Sequence, residues 1–102
     1  MNLKFKDWKG IEIVNICRKN LLNQIKSLPN EEGNYQVVER TDGLVVQWIN
    51  LGEGILRVEK VVSSDKIYFI NLKKDFMDSL VNLLFMDSDL KSLPWRKIKC
   101  VN

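Results

Sequence analysis

The residues that could carry out chemistry are few, and the usual catalytic partner is missing. The chain has no histidine, which is the side chain that most often transfers protons near neutral pH and most often binds metals. Its two cysteines, Cys17 and Cys100, lack the Cys-x-x-Cys spacing of metal and redox sites. Nucleophilic catalysis by either thiol would need an adjacent base. We therefore predict that the chain is not an enzyme.

Carboxylate pairs are the next candidates, because they can hold a hard cation or exchange protons. Three pairs occur, at Glu31/Glu32, Asp75/Asp78 and Asp87/Asp89. The last pair is not followed by the glycine and terminal glutamate of a calcium loop. The segment Gly52-Glu53-Gly54 lacks the third glycine and the following helix of a dinucleotide-binding loop. The sequence predicts no metal site and no cofactor.

The clearest binding signal is a basic and aromatic tail. Trp95 precedes Arg96, Lys97 and Lys99 with no intervening acid, and such cations suit phosphate backbones while aromatic rings stack on bases. Residues 4–9 would extend this surface if the two ends of the chain lie side by side. Because a pI near 8.9 falls short of the usual nucleic-acid footprint, nucleic acid is the alternative partner and a protein is the leading one.

Hydrophobic spacing predicts the helices that must position these residues. Apolar residues recur at helical spacing over about residues 9–28, where Pro29 ends the pattern. Because Ile11-Glu12-Ile13 alternates like a strand, a helix start near Asn15 is the alternative. A second apolar pattern with a narrow polar stripe predicts a helix over about residues 74–86.

Four strands are predicted between these helices, over about residues 35–40, 44–51, 55–63 and 66–72. The turns between them are short and rich in Gly, Asp and Ser, and such connections join antiparallel neighbours. The predicted fold class is α+β: a four-stranded antiparallel meander flanked by an N-terminal and a C-terminal helix. At 102 residues the chain is expected to form one domain, with a basic tail over residues 91–102.

Surplus apolar side chains point to an interaction surface. The predicted strands carry them on both faces, unlike a half-solvated sheet, so both faces are expected to be covered. Phe85 and Met86 interrupt the polar stripe of the second helix, which predicts either cover by the returning tail or an interface. The candidate interaction residues are Trp48, Phe85, Met86, Trp95, Arg96, Lys97 and Lys99.

Composition indicates the cellular compartment and the type of genome that encodes the chain. Two cysteines are too few for a disulfide framework, no apolar run reaches the roughly 18 residues of a membrane helix, and the N-terminus lacks a signal peptide's apolar segment. A cytoplasmic protein without membrane association is expected. The absence of alanine and the abundance of Lys and Asn are typical of AT-rich genomes, such as those of many bacteria, phages and mobile elements.

The function predicted from these features is a small non-enzymatic protein-binding domain. An inhibitor, an immunity protein or a regulatory accessory protein of a bacterium or phage would fit this description, and a homodimer is one form of the expected partnership. The alternatives are nucleic-acid binding through the basic and aromatic ends, and a small-ligand pocket between sheet and helix.

Overall fold

All the described strands join in one antiparallel sheet. The computed structural model describes residues 2–86 and 89–98. The elements in chain order are β1 (Leu3–Asp7), β2 (Glu12–Ile13), α1 (Arg18–Lys26), β3 (Tyr35–Arg40), β4 (Val45–Asn50), β5 (Ile55–Ser63), β6 (Lys66–Lys73), α2 (Met77–Phe85, entered by a 3₁₀ turn at Lys74–Phe76) and β7 (Arg96–Lys97). Their order across the seven-stranded sheet is β2-β1-β3-β4-β5-β6-β7.

The predicted four-stranded meander flanked by two helices is therefore wrong, although the α+β class holds. The four predicted strands are present as β3 to β6 and are consecutive neighbours in the sheet. The N-terminal segment adds β1 and β2 beyond β3, and the tail adds β7 beyond β6. The sheet is wider than predicted because both ends of the chain return to pair with it.

The predicted helix over residues 9–28 is also too long, since α1 spans only Arg18–Lys26. Strand pairing accounts for the difference, because Phe5 pairs with Ile13 and Lys6 with Glu12 in a small hairpin. Gly10 takes a positive φ of 84° in the turn between them, a conformation that favours glycine. The alternative start near Asn15 lies closer to the observed helix. The second helix matches its prediction within a few residues.

The hydrophobic core lies between one face of the sheet and both helices. Its sheet residues include Phe5, Val38, Val46, Trp48 and Val58, and its helix residues include Leu21, Ile25, Leu80 and Leu84. Trp48, one of the candidate interaction residues, lies in this core with 0% of its surface exposed.

A short polar relay crosses this core. The indole nitrogen of Trp48 donates to Gln36 Oε1 at 2.7 Å, and Gln36 Nε2 donates to the Gln24 carbonyl of α1 at 2.8 Å. Each buried polar group in the relay has a partner, as a dry interior requires.

Among the described residues, none of the helices combines the length and the apolar character needed to cross a membrane.

Candidate functional site

The second face of the sheet carries no helix in the described part of the chain, and we call it the open face. Because side chains alternate along a strand, its residues are those between the core positions. Nine of them define it: Val37, Val45, Gln47, Ile49, Arg57, Glu59, Val61, Ile67 and Phe69. All nine are half-buried. The prediction that both faces are covered therefore holds for one face only within the described structure.

Rows of directly paired residues run across the open face. Val45 pairs with Val61, and Val61 with Ile67, which makes an apolar row over three strands. A second row runs from Gln47 through Glu59 to Phe69. Paired residues place their side chains side by side on one face, so the apolar row and the mixed row form one continuous surface.

The charged groups at the centre of the open face are already paired with each other. Glu59 accepts a hydrogen bond from Gln47 Nε2 at 2.7 Å and lies 3.6 Å from Arg57 Nε. The Arg57 guanidinium lies over the Phe69 ring, 4.3 Å from its centroid. Only 13% of the Glu59 side chain is exposed. The centre of the face therefore presents a neutral network bordered by aliphatic side chains.

Charges at the β1 edge of this face are paired as well. Lys4 Nζ lies 3.0 Å from Glu12, and Lys6 Nζ lies 3.9 Å from the same carboxylate. The hydrogen bond between Lys4 and Glu12 lowers the pKa of the glutamate and raises the pKa of the lysine. Since these groups are solvent-exposed, the pair contributes little to stability. It forms a polar rim at the β1 and β2 side of the open face.

A different surface lies on the helix side of the sheet, beside the turn from β3 to β4. Here a cavity of about 820 Å³ opens between β5, β6 and the segment that returns after α2. We call it the basic cleft and define it by its cationic and aromatic residues: Arg40, Lys60, Lys66, Tyr68, Lys91 and Trp95. Asp42 and Asp89 also line it, so four cationic and two anionic side chains share the cavity.

Lys60 is the unusual residue of the basic cleft, because it is a lysine with only 7% of its surface exposed. Its ammonium lies 5.1 Å from the ring centroids of both Tyr68 and Trp95. It donates one long hydrogen bond, 3.3 Å, to the carbonyl of Asp89. Loss of solvation on burial lowers the pKa of this ammonium.

The other buried cation of the cleft is already neutralised. Arg40 donates to both carboxylate oxygens of Asp42, at 3.1 and 2.6 Å. This fork-to-carboxylate geometry is the strong form of an ion pair, and it lowers the pKa of Asp42 chiefly through the Arg40 hydrogen bond.

The returning segment fixes the position of Trp95 in the cleft wall. Leu90 is fully buried and takes a φ of 65°, which is uncommon for a leucine. Its carbonyl accepts a 2.6 Å hydrogen bond from the indole nitrogen of Trp95. The indole is thereby held in one orientation against the partly buried edge of the core.

The predicted interaction residues are distributed over several surfaces. Trp48 lies in the core, Phe85 is half-buried against the core, and Met86 is 74% exposed. Trp95 lines the cleft, whereas Arg96 pairs with Phe69 at the edge of the open face and Lys97 pairs with Tyr68 on the cleft side. Lys99 lies outside the described residues.

Within residues 2–86 and 89–98, the two ends of the chain do not form one basic surface. Four strands, β3 to β6, separate β1 from β7 in the sheet. Phe5 is buried in the core, and Lys4 and Lys6 lie at the opposite edge of the sheet from Trp95. Residues 4–9 and the described part of the tail, residues 91–98, therefore do not merge into one surface.

Sequence reasoning missed Lys60 and Tyr68 as partners of Trp95. A signal for Lys60 was available, because it continues the buried alternation of Leu56 and Val58 along β5. A lysine at such a position indicates either a specific partner or a site. Trp95 lies close to Lys60 because the chain folds back toward the sheet after α2. No local sequence pattern specifies this path.

The carboxylate pairs form no recognisable metal site in the described ranges. No group of three or more His, Cys, Asp or Glu side chains there could hold a metal ion. Asp87 lies outside the described residues, so the geometry of the Asp87/Asp89 pair is not described.

Comparison with known proteins adds no family to this description. No protein-family model, curated protein or solved structure matches the chain.

Proposed function

We propose that this chain is a non-enzymatic protein-binding domain whose docking surface is the open face. The observation that carries the proposal is the apolar row of Val45, Val61 and Ile67, which no described element covers. Contiguous apolar surface on a small domain is the usual mark of an interaction site. When both helices pack on one face of a seven-stranded sheet, the apolar side chains of the other face stay uncovered by the described part of the chain.

The occupant that fits best is the open face of a second copy. Two sheets can pack face to face at a spacing of about 10 Å, with the strand directions within about 30° of each other. Each copy would bring a neutral centre, because Glu59 is already satisfied by Gln47 and Arg57. A partner need not supply counter-charges, so burial of the face leaves no unpaired charge behind.

The size of the face is compatible with a specific interface. The nine residues lie on four strands, and four strands at about 4.8 Å spacing with six residues at about 3.4 Å each give a patch of roughly 19 by 20 Å, or about 380 Å² in projection. Side-chain relief raises the accessible area above this value. The smallest specific interfaces bury about 600 Å² on each partner, so one face supplies most of what a stable dimer needs.

The proposal includes a cellular role. The chain would act as an inhibitor, an immunity protein or a regulatory accessory protein in the cytoplasm of a bacterium or phage-infected cell. The exposed free thiol of Cys17 suits a reducing compartment. A dimer formed through the open face would present its helices and its basic cleft outward, where a target could reach them.

Sedimentation velocity of the full chain tests the proposal with a matched pair of variants. Val61 and Val62 are adjacent in β5, but Val61 lies on the open face whereas Val62 lines the basic cleft and is 55% exposed. We expect the parent protein to form dimers over about 5 to 500 µM. Val61→Lys should weaken the dimer by at least about tenfold, because each interface would bury two unpaired ammonium groups.

Val62→Lys is the control and should sediment like the parent. Circular dichroism of both variants shows whether the fold persists. A parent protein that is monomeric up to the highest concentration would contradict the proposal. Equal weakening by the two substitutions would also contradict it, since only Val61 lies on the open face.

A further inference from the structure

We propose that the basic cleft is a binding site for a nucleotide, with its phosphate beside Lys60 and its base against the aromatic wall of Tyr68 and Trp95. The site is separate from the open face, since the two lie on opposite sides of the sheet. The proposal therefore does not depend on dimer formation.

The first step of the argument is the incomplete bonding of Lys60. An ammonium has three donors, yet among the described residues Lys60 donates only to the Asp89 carbonyl, at 3.3 Å. The Asp89 carboxylate, which is itself paired with Lys91, acts on this ammonium from beyond ion-pair distance, so the buried cation has lost water and is only partly compensated. Lys60 lines an open cavity, so an anion entering that cavity can supply the missing acceptors.

The second step is the sign of the surrounding charge. Of the four cations in the cleft, Arg40 is paired with Asp42 and Lys91 with Asp89. Within the part of the chain that the structure describes, no carboxylate lies within ion-pair distance of Lys60 or Lys66. Two cations are thus left for a ligand, which matches the charge of about −2 on a phosphate monoester.

The third step is the chemistry of the remaining walls. Leu44, Val62, Leu93 and Pro94 line the cleft together with the two aromatic rings. A cavity of about 820 Å³ is within the range of about 300–1,000 Å³ that small-molecule sites occupy. Aromatic side chains bind bases by stacking. A ligand with one phosphate and one flat ring system uses both parts of the site, and a nucleotide has this composition.

Isothermal titration calorimetry of the full chain tests the assignment with four probes: AMP, adenosine, inorganic phosphate and a ten-nucleotide oligothymidylate. We expect AMP to bind at least about tenfold more tightly than adenosine or inorganic phosphate, because only AMP has both groups. Tighter binding of the oligonucleotide than of AMP would assign the site to a polynucleotide strand. Equal or weaker binding of the oligonucleotide would assign it to free nucleotides.

Lys60→Met tests the role of the ammonium while keeping the length of the side chain. We expect it to weaken AMP binding by at least about tenfold, whereas Lys19→Met on the exposed surface of α1 leaves binding unchanged. Thermal melting of each variant confirms that it is folded. The proposal is wrong if AMP fails to bind at millimolar concentration, if adenosine or phosphate binds as well as AMP, or if folded Lys60→Met binds like the parent.

Discussion

At position 60, a lysine occupies a place where the alternation of β5 favours an apolar side chain. Leu56 and Val58 precede it on the same face, and both are fully buried. Tyr68 and Trp95 offset part of the cost of burying the cation, because an ammonium near an aromatic ring gains about 0.5–2 kcal/mol. The ring contacts do not replace the lost water of all three donors, so Lys60 should reduce the stability of the unliganded protein relative to a neutral residue.

Because the pKa of Lys60 is lowered, the loss of stability caused by burying its ammonium depends on pH. Its pKa in the folded protein lies below the ordinary value of 10.5 because burial disfavours the charged form. Between that lowered pKa and 10.5, the unfolded chain binds more protons at this site than the folded chain does. The contribution of Lys60 to stability therefore rises with pH through this interval.

Urea unfolding of the parent and of Lys60→Met at pH 7 and at about pH 10 measures this effect. We expect the parent to gain stability relative to the variant as the pH rises, because the titrating lysine is present only in the parent. Comparing the two proteins removes the effect of the other lysines. A stability difference that stays constant, or shifts in favour of the variant at high pH, would show that Lys60 is not desolvated.

At the scale of elements, the sequence predicted secondary structure best where strands that are consecutive in the chain also pair with each other in the sheet. The strands β3 to β6 were predictable because alternating residues and short turns determine a meander without distant information. The N-terminal segment was mispredicted as a helix because Val14 fits a helical arc. In the structure Val14 is 67% exposed. β1 pairs with β3, which lies far along the chain, and β2 pairs with β1.

At the end of α2, two apolar residues that give the same sequence signal lie in different environments. Phe85 and Met86 both interrupt a polar stripe, but Phe85 packs against the core and Met86 is exposed. We expect Phe85→Ser to lower the free energy of unfolding by about 1–3 kcal/mol. Met86→Ser should change it by less than about 0.5 kcal/mol, as for most surface substitutions.

Urea unfolding curves of the two single variants separate these roles, and sedimentation reports whether either variant alters association. Equal losses of stability would show that Met86 is covered. If Met86→Ser changes the dimer affinity and Val61→Lys does not, the interface lies at the end of α2 and not on the open face.

For the whole molecule, the arrangement of layers was not predictable from the chain. Apolar residues on both faces of the strands correctly indicated surplus apolar surface, whereas Trp48, which was named as a candidate interaction residue, lies in the core. The pattern could not specify that both helices pack on the same face, because each helix has an apolar side that fits either face. Trp95 was identified from its basic neighbours, but its contact with Lys60 depends on how the chain returns after α2.

This one-sided layering underlies the central proposal, which is that a second copy of the chain covers the open face in solution. Methyl NMR with a soluble gadolinium chelate measures cover directly, since the chelate attenuates the signals of solvent-exposed methyl groups. Because Val45 is already half-buried within one chain, it is compared between the parent and Val61→Lys, the variant with the weakened dimer. At about 500 µM protein, we expect the methyl signals of Val45 to be better protected in the parent than in Val61→Lys. Those of Val62 and Met86, which lie off the open face and are exposed, should be attenuated alike in both proteins; equal attenuation of Val45 in the two proteins would contradict the proposal.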